Sequence, residues 1–256
     1  RYSQTPRAAS RSMPLVNHAR QEIHLKVVYY GPGLGGKTTN LEHIHGRTRP
    51  ERRGKLISLA TESERTLFFD LLPVELGTFK GYQIRLHLCT VPGQIAHDRT
   101  RRLVLRHVDG IVFVADSQAE RIDDNRESMD NLALNLRLQG DDPDRLPIIV
   151  QYNKRDLPGV LPPTHLRDAL AIPEEILALE AVAVRGVGVF ETVKEILKAC
   201  LKIVGDPRRA REGRTPSVIP GTRPSMFPMA PGAAAGPLTG GVRLPAPARP
   251  PSFDDD

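Results

Sequence analysis

The feature that most constrains this chain is a glycine-rich loop between an apolar run and a helix-like segment. The loop, residues 31–38, reads GPGLGGKT, which is the spacing G-x-x-x-x-G-K-T. Residues 23–30 are rich in β-branched and aromatic side chains and predict a strand, whereas residues 39–44 predict a helix. Strand, loop and helix in this order form the context that a phosphate-binding P-loop requires. The sequence therefore predicts a site for a nucleoside polyphosphate.

The residue types of this loop suit a polyphosphate bound with a metal ion. Glycines let the backbone turn tightly and bring successive N–H groups onto phosphate oxygens at a helix N-terminus. We expect Lys37 to reach the β- and γ-phosphates and the Thr38 hydroxyl to bind Mg²⁺. The residues expected to contact the nucleotide here are Gly31, Gly33, Leu34, Gly35, Gly36, Lys37, Thr38 and Thr39.

The net charge of +6 does not indicate a nucleic-acid-binding surface. Residues 1–21 carry four arginines and no acidic residue, and residues 205–256 carry seven arginines against five acidic residues, so residues 22–204 are neutral overall. Proteins that bind nucleic acid concentrate basic residues on their folded surface. No nucleic acid is therefore expected as a partner, although basic terminal segments that contact acidic partners stay open.

Composition also indicates where the protein resides. The sequence has no apolar run of about 18 residues, so no integral membrane segment is predicted, and it lacks the apolar stretch of a secretory signal near its start. Cys89 and Cys200 are far apart and each lies among apolar residues. Buried free thiols in a reducing cytoplasm are the better interpretation, and a disulfide is the weaker one.

The chain divides into three parts. Residues 1–21 are polar and irregular and are expected to be a flexible N-terminal segment. Residues 205–256 contain 11 prolines and 7 glycines, and such a composition cannot bury enough apolar surface to offset the entropy of ordering, so a disordered tail is predicted. Residues 22–204 alternate strand-like and helix-like segments and are expected to form one domain.

The alternation within this domain predicts an α/β fold with a mostly parallel sheet, helices on both faces and one antiparallel edge strand. Residues 67–72 and 82–88 read as strands separated by only nine residues. Because a crossover helix needs more residues, the two strands are expected to pair as an antiparallel hairpin. Further strands are predicted at residues 110–116, 147–152 and 180–183, and helices at residues 99–106, 123–139, 164–170 and 189–204.

A second motif, NKRD at residues 153–156, follows a predicted strand, at the edge where ligands of open α/β sheets bind. The Asp156 carboxylate can accept hydrogen bonds from the N1–H and the exocyclic amine of guanine. Adenine offers no such pair of donors, and unpaired buried polar groups are strongly penalised. Alone the motif is equally compatible with a polar turn, but beside a P-loop it favours guanine. Residues expected at the base are Asn153, Lys154, Asp156, Ala183 and Val184, the last two through backbone N–H groups facing the guanine O6.

Two further loops are expected to meet the γ-phosphate. The sequence TVPGQ at residues 90–94 matches the D-x-x-G-Q pattern of small GTPases except at Thr90, which replaces the aspartate. Gly93 would offer its N–H to the γ-phosphate, and Gln94 would orient the attacking water. Upstream of this loop, Thr66 is placed to close on Mg²⁺ when the γ-phosphate is present.

Four stretches make the chain similar to the MglA family, bacterial Ras-like small GTPases linked to gliding motility and cell polarity. The similarity runs from about Met13 to Val204, and the C-terminal tail lies outside it. The matching stretches are YYGPGL at residues 29–34, KLISLATE at residues 55–62, TVPGQ at residues 90–94 and VADSQ at residues 114–118.

The resemblance implies a GTP-hydrolysing switch that uses GTP, GDP and Mg²⁺. Its catalytic residues would be Gln94, Lys37 and Arg65, the last acting as an arginine finger supplied in cis. From the residues alone, Arg65 is more readily a solvated charge among acidic neighbours. The resemblance also implies slow turnover without a Roadblock-type, MglB-like GTPase-activating protein, and a cytoplasmic protein that can be recruited to cell poles. The effectors stay unknown.

Two positions bear on how far the resemblance extends. The family carries threonine at the position of Thr90, so that departure is expected within it, whereas Gly35 stands where cysteine is expected in relatives. Met13 lies at the distance from the first strand at which relatives begin. We therefore expect residues 1–12 to lie upstream of the native start, and peptides from Arg7 or earlier in the native protein would contradict this.

Two other functions stay open from the residues. A pseudo-GTPase adaptor would bind GTP and recruit polar or cytoskeletal partners without efficient hydrolysis, because Thr90 weakens the hold on Mg²⁺. A P-loop ATPase or kinase is the other alternative, and the NKRD motif argues against it. Phosphate release from GTP and from ATP, with and without a Roadblock-type partner, separates the three functions.

Overall fold

A computed structural model of the chain describes residues 15–59, 69–93, 97–143 and 146–205. The predictions made for Met13, Arg65, Thr66, Gln94 and the C-terminal tail concern residues outside these ranges.

Strands and helices alternate along the described residues, as the sequence predicts. The strands are β1 (Leu15–Asn17), β2 (Glu22–Tyr30), β3 (Ile57–Leu59), β4 (Phe69–Phe79), β5 (Tyr82–Thr90), β6 (Gly110–Asp116), β7 (Ile148–Asn153) and β8 (Ala178–Glu180). The helices are α1 (Lys37–Arg47), α2 (Asp98–Leu105), α3 (Ile122–Gln139), α4 (Pro163–Ala169) and α5 (Val189–Val204).

These eight strands form one sheet in the order β3-β4-β5-β2-β6-β7-β8, with β1 paired to β2 beside that path. Strands β5, β2, β6, β7 and β8 are parallel to one another. Strand β4 runs antiparallel to β5, and the short strands β3 and β1 add further antiparallel pairs. The predicted α/β class with a mostly parallel sheet is confirmed.

The central strands are apolar because helices cover both of their faces. All seven residues of β6 are buried, and so are the residues of β2 from Leu25 to Tyr30. Apart from Lys26 and Asp116 these runs are apolar, as is typical of buried parallel strands. On one face, residues of β2 and β5 pack with Leu41 and Ile44 of α1 and with Ile196 of α5 in a single core. The sheet therefore holds the ends of β2, β6 and β7 in fixed relative positions.

The predicted hairpin is present, but its first strand is longer than expected. Strand β4 continues to Phe79 instead of ending at residue 72, and the hairpin turn consists of Lys80 and Gly81, both with positive φ (51° and 83°). Two such residues match the right-handed twist of a β-hairpin. Pro73 interrupts the strand pattern of the sequence. In the structure its carbonyl faces the outer edge of β4 and accepts the N–H of Gly54 at 2.8 Å. A missing N–H is tolerated on that side.

Two other boundaries differ from the prediction. The last strand is Ala178–Glu180, and residues 183–185, partly assigned to that strand, form a 3₁₀ turn. Near the N-terminus, β1 lies within the segment predicted to be irregular. It pairs with residues 22–24 of β2. On the same side of β2, β6 begins to pair only at Val27. Backbone groups on that edge of β2 thus gain partners.

One prediction about composition is also met within the described residues. Cys89 and Cys200 are buried free thiols, as expected. None of the described helices is long and apolar enough to cross a membrane.

Candidate functional site

The glycine-rich loop connects β2 to α1 and rests against two neighbouring strands. Gly31 has a φ of 140°, and a Cβ at this position would lie 2.3 Å from the carbonyl oxygen of Val114 on β6. Gly36 has a φ of 99°, and its Cβ would lie 2.1 Å from Nδ2 of Asn153. Because both the backbone angles and the space exclude a side chain, only glycine fits either position. The loop is thus packed as a P-loop needs to be.

Lys37 lies folded under this loop. It is 6% exposed, and its Nζ donates hydrogen bonds to the carbonyl oxygens of Gly31 at 3.0 Å and Pro32 at 2.6 Å. Burial lowers the pKa of Lys37 to about 7, the nearby positive charge of Arg101 adds to this effect, and Asp70 opposes it. An anion placed in the loop would stabilise the charged amine, so the site favours a phosphate.

Asn153 ties the NKRD motif to the glycine-rich loop. Its Nδ2 donates to the carbonyl oxygen of Gly35 at 2.8 Å, and its Oδ1 accepts the backbone N–H of Ala183 at 2.9 Å. Asn153 is 2% exposed, so both bonds are shielded from water. One amide therefore joins the loop after β2, the end of β7 and the turn after β8. The Ala183 N–H, which was expected to face guanine, is instead taken by this amide.

The remaining residues of the NKRD motif border the same region. The Lys154 Nζ donates to the fully buried carboxylate of Asp116 at 2.6 Å, which holds its side chain across the end of β6. The Asp156 carboxylate lies 3.8 Å from the guanidinium of Arg185. The side chain of Val184 is 71% exposed. The structure thus brings the predicted base residues to one end of the sheet.

A carboxylate that the sequence analysis assigned no function, Asp70 on β4, lies beside Thr90. Its Oδ2 accepts hydrogen bonds from the hydroxyl groups of Thr38 at 2.7 Å and Thr90 at 2.9 Å, and its Oδ1 accepts from Ser58 at 2.7 Å. Its backbone N–H donates to the Thr90 hydroxyl at 2.8 Å. Asp70 is 8% exposed. A neighbouring strand therefore supplies a carboxylate next to the position where Thr90 lacks one.

The glycine-rich loop and these groups surround a cavity of about 430 Å³. Gly93 lies against the loop: a Cβ on Gly93 would be 2.3 Å from the Cα of Gly33. The cavity is bordered by the predicted residues Leu34, Gly36, Lys37, Thr38, Thr39 and Gly93, and also by Ser58, Phe69, Asp70, Thr90, Val91 and Pro92.

Comparison with known proteins assigns the chain to a family. Residues 14–201 match the model of the ADP-ribosylation factor family. The chain is a small GTPase of this family. It is 53% identical over 192 residues to the mutual gliding-motility protein MglA of Myxococcus xanthus, a match that covers 74% of this chain and 96% of the relative.

Eukaryotic relatives of this small GTPase are more distant. ADP-ribosylation factor-like protein 4C of Homo sapiens is 30% identical over 192 residues, which is 72% of this chain and 90% of the relative. ADP-ribosylation factor-like protein 4D of Mus musculus is 28% identical over 196 residues, which is 74% of this chain and 90% of the relative. The predicted similarity to MglA is confirmed.

The groups present in this small GTPase fit a nucleotide carried with Mg²⁺. Such families bind GTP and GDP, and Mg²⁺ takes oxygen ligands, keeps several waters and shares the substrate phosphates with few protein groups. The side-chain oxygen atoms of Thr38, Ser58 and Asp70 lie together beside the glycine-rich loop. The catalytic prediction for Arg65 and Gln94 and the metal prediction for Thr66 lie outside the described residues.

Proposed function

We propose that this small GTPase is a GTP-hydrolysing molecular switch that acts in gliding motility and cell polarity. The observation that carries the proposal is the Asn153 amide, which joins the P-loop to the motif expected at guanine. The relative named for gliding motility, 53% identical, supports the process.

Base recognition is proposed for the turn that follows β7. The Asp156 carboxylate would accept the N1–H and the exocyclic amine of guanine, and this pair of bonds rejects adenine strongly. Because the Ala183 N–H is engaged by Asn153, the N–H of Val184 is the donor we propose for the guanine O6. Asn153 and Lys154 would hold this turn in position through their contacts with Gly35 and Asp116.

Phosphate binding is proposed for the P-loop. The backbone N–H groups of residues 33–38 would surround the β-phosphate, and Lys37 would leave its two carbonyl partners to reach the β- and γ-phosphates. Thr38 and Thr66 would bind Mg²⁺ through their hydroxyl groups. Asp70 accepts a hydrogen bond from the Thr38 hydroxyl, so it orients that hydroxyl toward the metal.

Hydrolysis is proposed to depend on three groups beyond the P-loop. The Gly93 N–H would bind the γ-phosphate, Gln94 would orient the attacking water, and Arg65 would neutralise charge in the transition state. Turnover without a partner is expected to be slow, and a Roadblock-type, MglB-like GTPase-activating protein is proposed to accelerate it. The proposed location is the cytoplasm, with recruitment to cell poles.

The domain boundaries are part of the proposal. Residues 22–204, together with β1, would form the GTPase domain, and residues 1–14 and 205–256 would flank it. Deleting residues 205–256 tests this assignment: GTP binding should be unchanged, and any change in cellular localisation would assign that function to the tail.

Phosphate release tests the proposed function. We expect release from GTP but not from ATP, stimulation by a Roadblock-type partner, and loss of turnover in Arg65→Ala and Gln94→Ala. Lys198→Ala, a 58% exposed side chain on α5, is the control and should retain full activity. Tight GTP binding without turnover under any condition would favour the adaptor, and a preference for ATP would contradict the guanine assignment.

A further inference from the structure

The side chain of Arg101 on α2 is among the largest that are completely buried, with 0% exposure. Burying a guanidinium is unfavourable unless its N–H donors are paired. The partners of Arg101 therefore indicate what the buried charge is for. Four of its hydrogen bonds leave α2 and reach three other parts of the molecule: the Pro92–Gly93 turn, the Tyr30 hydroxyl at the end of β2 (3.4 Å) and Asn131 on α3.

The first set of bonds fixes the turn that follows β5. The Arg101 Nε donates to the carbonyl oxygen of Pro92 at 2.9 Å, and its Nη2 donates to the carbonyl oxygen of Gly93 at 2.6 Å. A trans peptide is planar, and its C=O and N–H point in opposite directions. Holding the Pro92 oxygen therefore also sets the direction of the Gly93 N–H, which points away from Arg101.

The second set of bonds anchors the guanidinium from the other side. Its Nη1 donates to Oδ1 of Asn131 on α3 at 2.8 Å, and its Cζ lies 5.1 Å from the ring centroid of Tyr30. The Asp98 carboxylate accepts the amides of Asn131 at 2.9 Å and Asn135 at 2.7 Å. Tyr30 is the last residue before the P-loop. Arg101 thus connects the Pro92–Gly93 turn to the P-loop strand and to α3.

We propose that Arg101 is a positioning residue that makes this small GTPase prefer the triphosphate over the diphosphate. By holding the carbonyl groups of Pro92 and Gly93, it keeps the Gly93 N–H directed for the γ-phosphate before the nucleotide arrives. The close packing of Gly93 on Gly33 leaves the turn little room to tilt. The inference rests on the proposed function, because it assumes that the Gly93 N–H binds the γ-phosphate.

The test compares nucleotide affinities of the full chain carrying Arg101→Met. Fluorescently labelled GDP and a labelled non-hydrolysable GTP analogue give two dissociation constants in the presence of Mg²⁺. We expect the GTP analogue to bind about tenfold more weakly, the loss of roughly one hydrogen bond to a charged group. Binding of GDP should change less than about threefold, because GDP lacks the phosphate that this N–H contacts.

Arg102→Met is the matched control, since Arg102 lies on the same helix, is 43% exposed and pairs only with Asp98 among the described residues. It should leave both dissociation constants unchanged. Arg101→Lys retains the charge but not the guanidinium fork, so it should show the same selective loss and serves as the test if Arg101→Met does not fold.

An equal loss of affinity for both nucleotides would overturn the inference and leave Arg101 with a purely structural role. Unchanged affinities would overturn it as well. Failure of the proposed function would look different: the unsubstituted chain would then either bind neither guanine nucleotide or bind GTP without releasing phosphate.

Discussion

The base half and the phosphate half of the site are built in different ways. In the base half, loops that follow the parallel strands β2, β7 and β8 are joined by one buried amide, that of Asn153, which bonds backbone groups only. In the phosphate half, contacts run between side chains: three hydroxyl groups converge on Asp70. Arg101 adds two bonds from a guanidinium to carbonyl groups.

This difference suggests that one half selects the base and the other half responds to Mg²⁺ and to the γ-phosphate. The Asn153 amide joins backbone groups of the base half without a nucleotide, so the region where we propose that guanine binds is preorganised. Hydroxyl and carboxylate groups in the phosphate half can exchange one partner for another, such as a metal ion or a phosphate. We therefore expect substitutions in the base half to alter which base binds. Substitutions in the phosphate half should alter the dependence on Mg²⁺ and on the γ-phosphate.

The largest effect is expected for Asp156→Asn. An amide at this position offers a donor where guanine also offers one, whereas xanthine presents a carbonyl oxygen at that place. Affinity for GTP should fall by about 10⁴-fold and affinity for xanthosine triphosphate should rise, since mismatched buried polar groups are strongly rejected. Competition of both nucleotides against labelled GDP measures the change.

Asp168→Asn, the same chemical change at an exposed position on α4, is the control and should bind GTP normally. If Asp156→Asn kept its preference for guanine, the base half would not lie where we place it.

The next largest effect is expected for Asp70→Asn in the phosphate half. An amide accepts hydrogen bonds less strongly than a carboxylate, so the Thr38 hydroxyl would be held less firmly for Mg²⁺. Loss of such a supporting group weakens metal binding by roughly 10- to 100-fold. The Mg²⁺ concentration that slows release of labelled GTP to half its metal-free rate should rise by this factor.

In the absence of Mg²⁺, nucleotide release from Asp70→Asn should match that of the unsubstituted chain. A change of equal size with and without Mg²⁺ would mean that Asp70 supports the phosphate loop and not the metal.

The meeting of the two motifs at one end of the sheet was predictable because their signals are local. The GPGLGGKT and NKRD motifs each carry their chemistry within a few consecutive residues, and their positions at strand ends bring them together. The spacing of the motifs does not reveal which acceptor a given N–H group bonds. The Ala183 N–H, which was expected to face guanine, donates to Asn153 instead.

The Asp70 contacts of the phosphate half were less predictable because they depend on strand register. Leu71 pairs with Cys89, and this register places Asp70 beside Thr90. Since Pro73 and Gly77 interrupt the strand pattern, the length of β4 and its register could not be read from the sequence. Thr90, which stands where the small-GTPase pattern has aspartate, was the signal in the sequence that another residue could supply a carboxylate beside Thr38.

A smaller effect is expected for Thr90→Val, which removes the hydroxyl between the two strands. The buried backbone N–H of Asp70 would lose its acceptor, and the carboxylate would lose one donor. We expect the free energy of unfolding to fall by about 1–2 kcal/mol. Urea unfolding of the nucleotide-free chain measures it.

Thr90→Ser retains the hydroxyl and is the matched control, with a loss well below that of Thr90→Val. If Thr90→Val lost no more stability than Thr90→Ser, which keeps the hydroxyl and lacks only the methyl group, the hydroxyl contacts with Asp70 would contribute little.

The smallest effect concerns pH and reports on β5, the strand that carries Thr90. Burial lowers the pKa of His87 to about 4, and the charges of His24, Lys26 and Arg85 add to this. The His87 ring is stacked on His24, with ring centroids 5.6 Å apart. Between pH 6.5 and pH 4 the unfolded chain therefore binds a proton at His87 that the folded chain does not, so stability falls as the pH is lowered through this range.

Replacing His87 with glutamine should reduce the loss of unfolding free energy between pH 7 and pH 5 by about 1 kcal/mol, after allowance for partial exposure of the ring. His165→Gln, an exposed histidine on α4, should leave the loss unchanged. Hydrogen exchange can locate the effect: at pH 5, amides of β5 should lose protection before those of β7. Equal loss of amide protection in β5 and β7 would show that the two halves of the site unfold together. The proposed difference between a preorganised base half and an adjustable phosphate half would then be wrong.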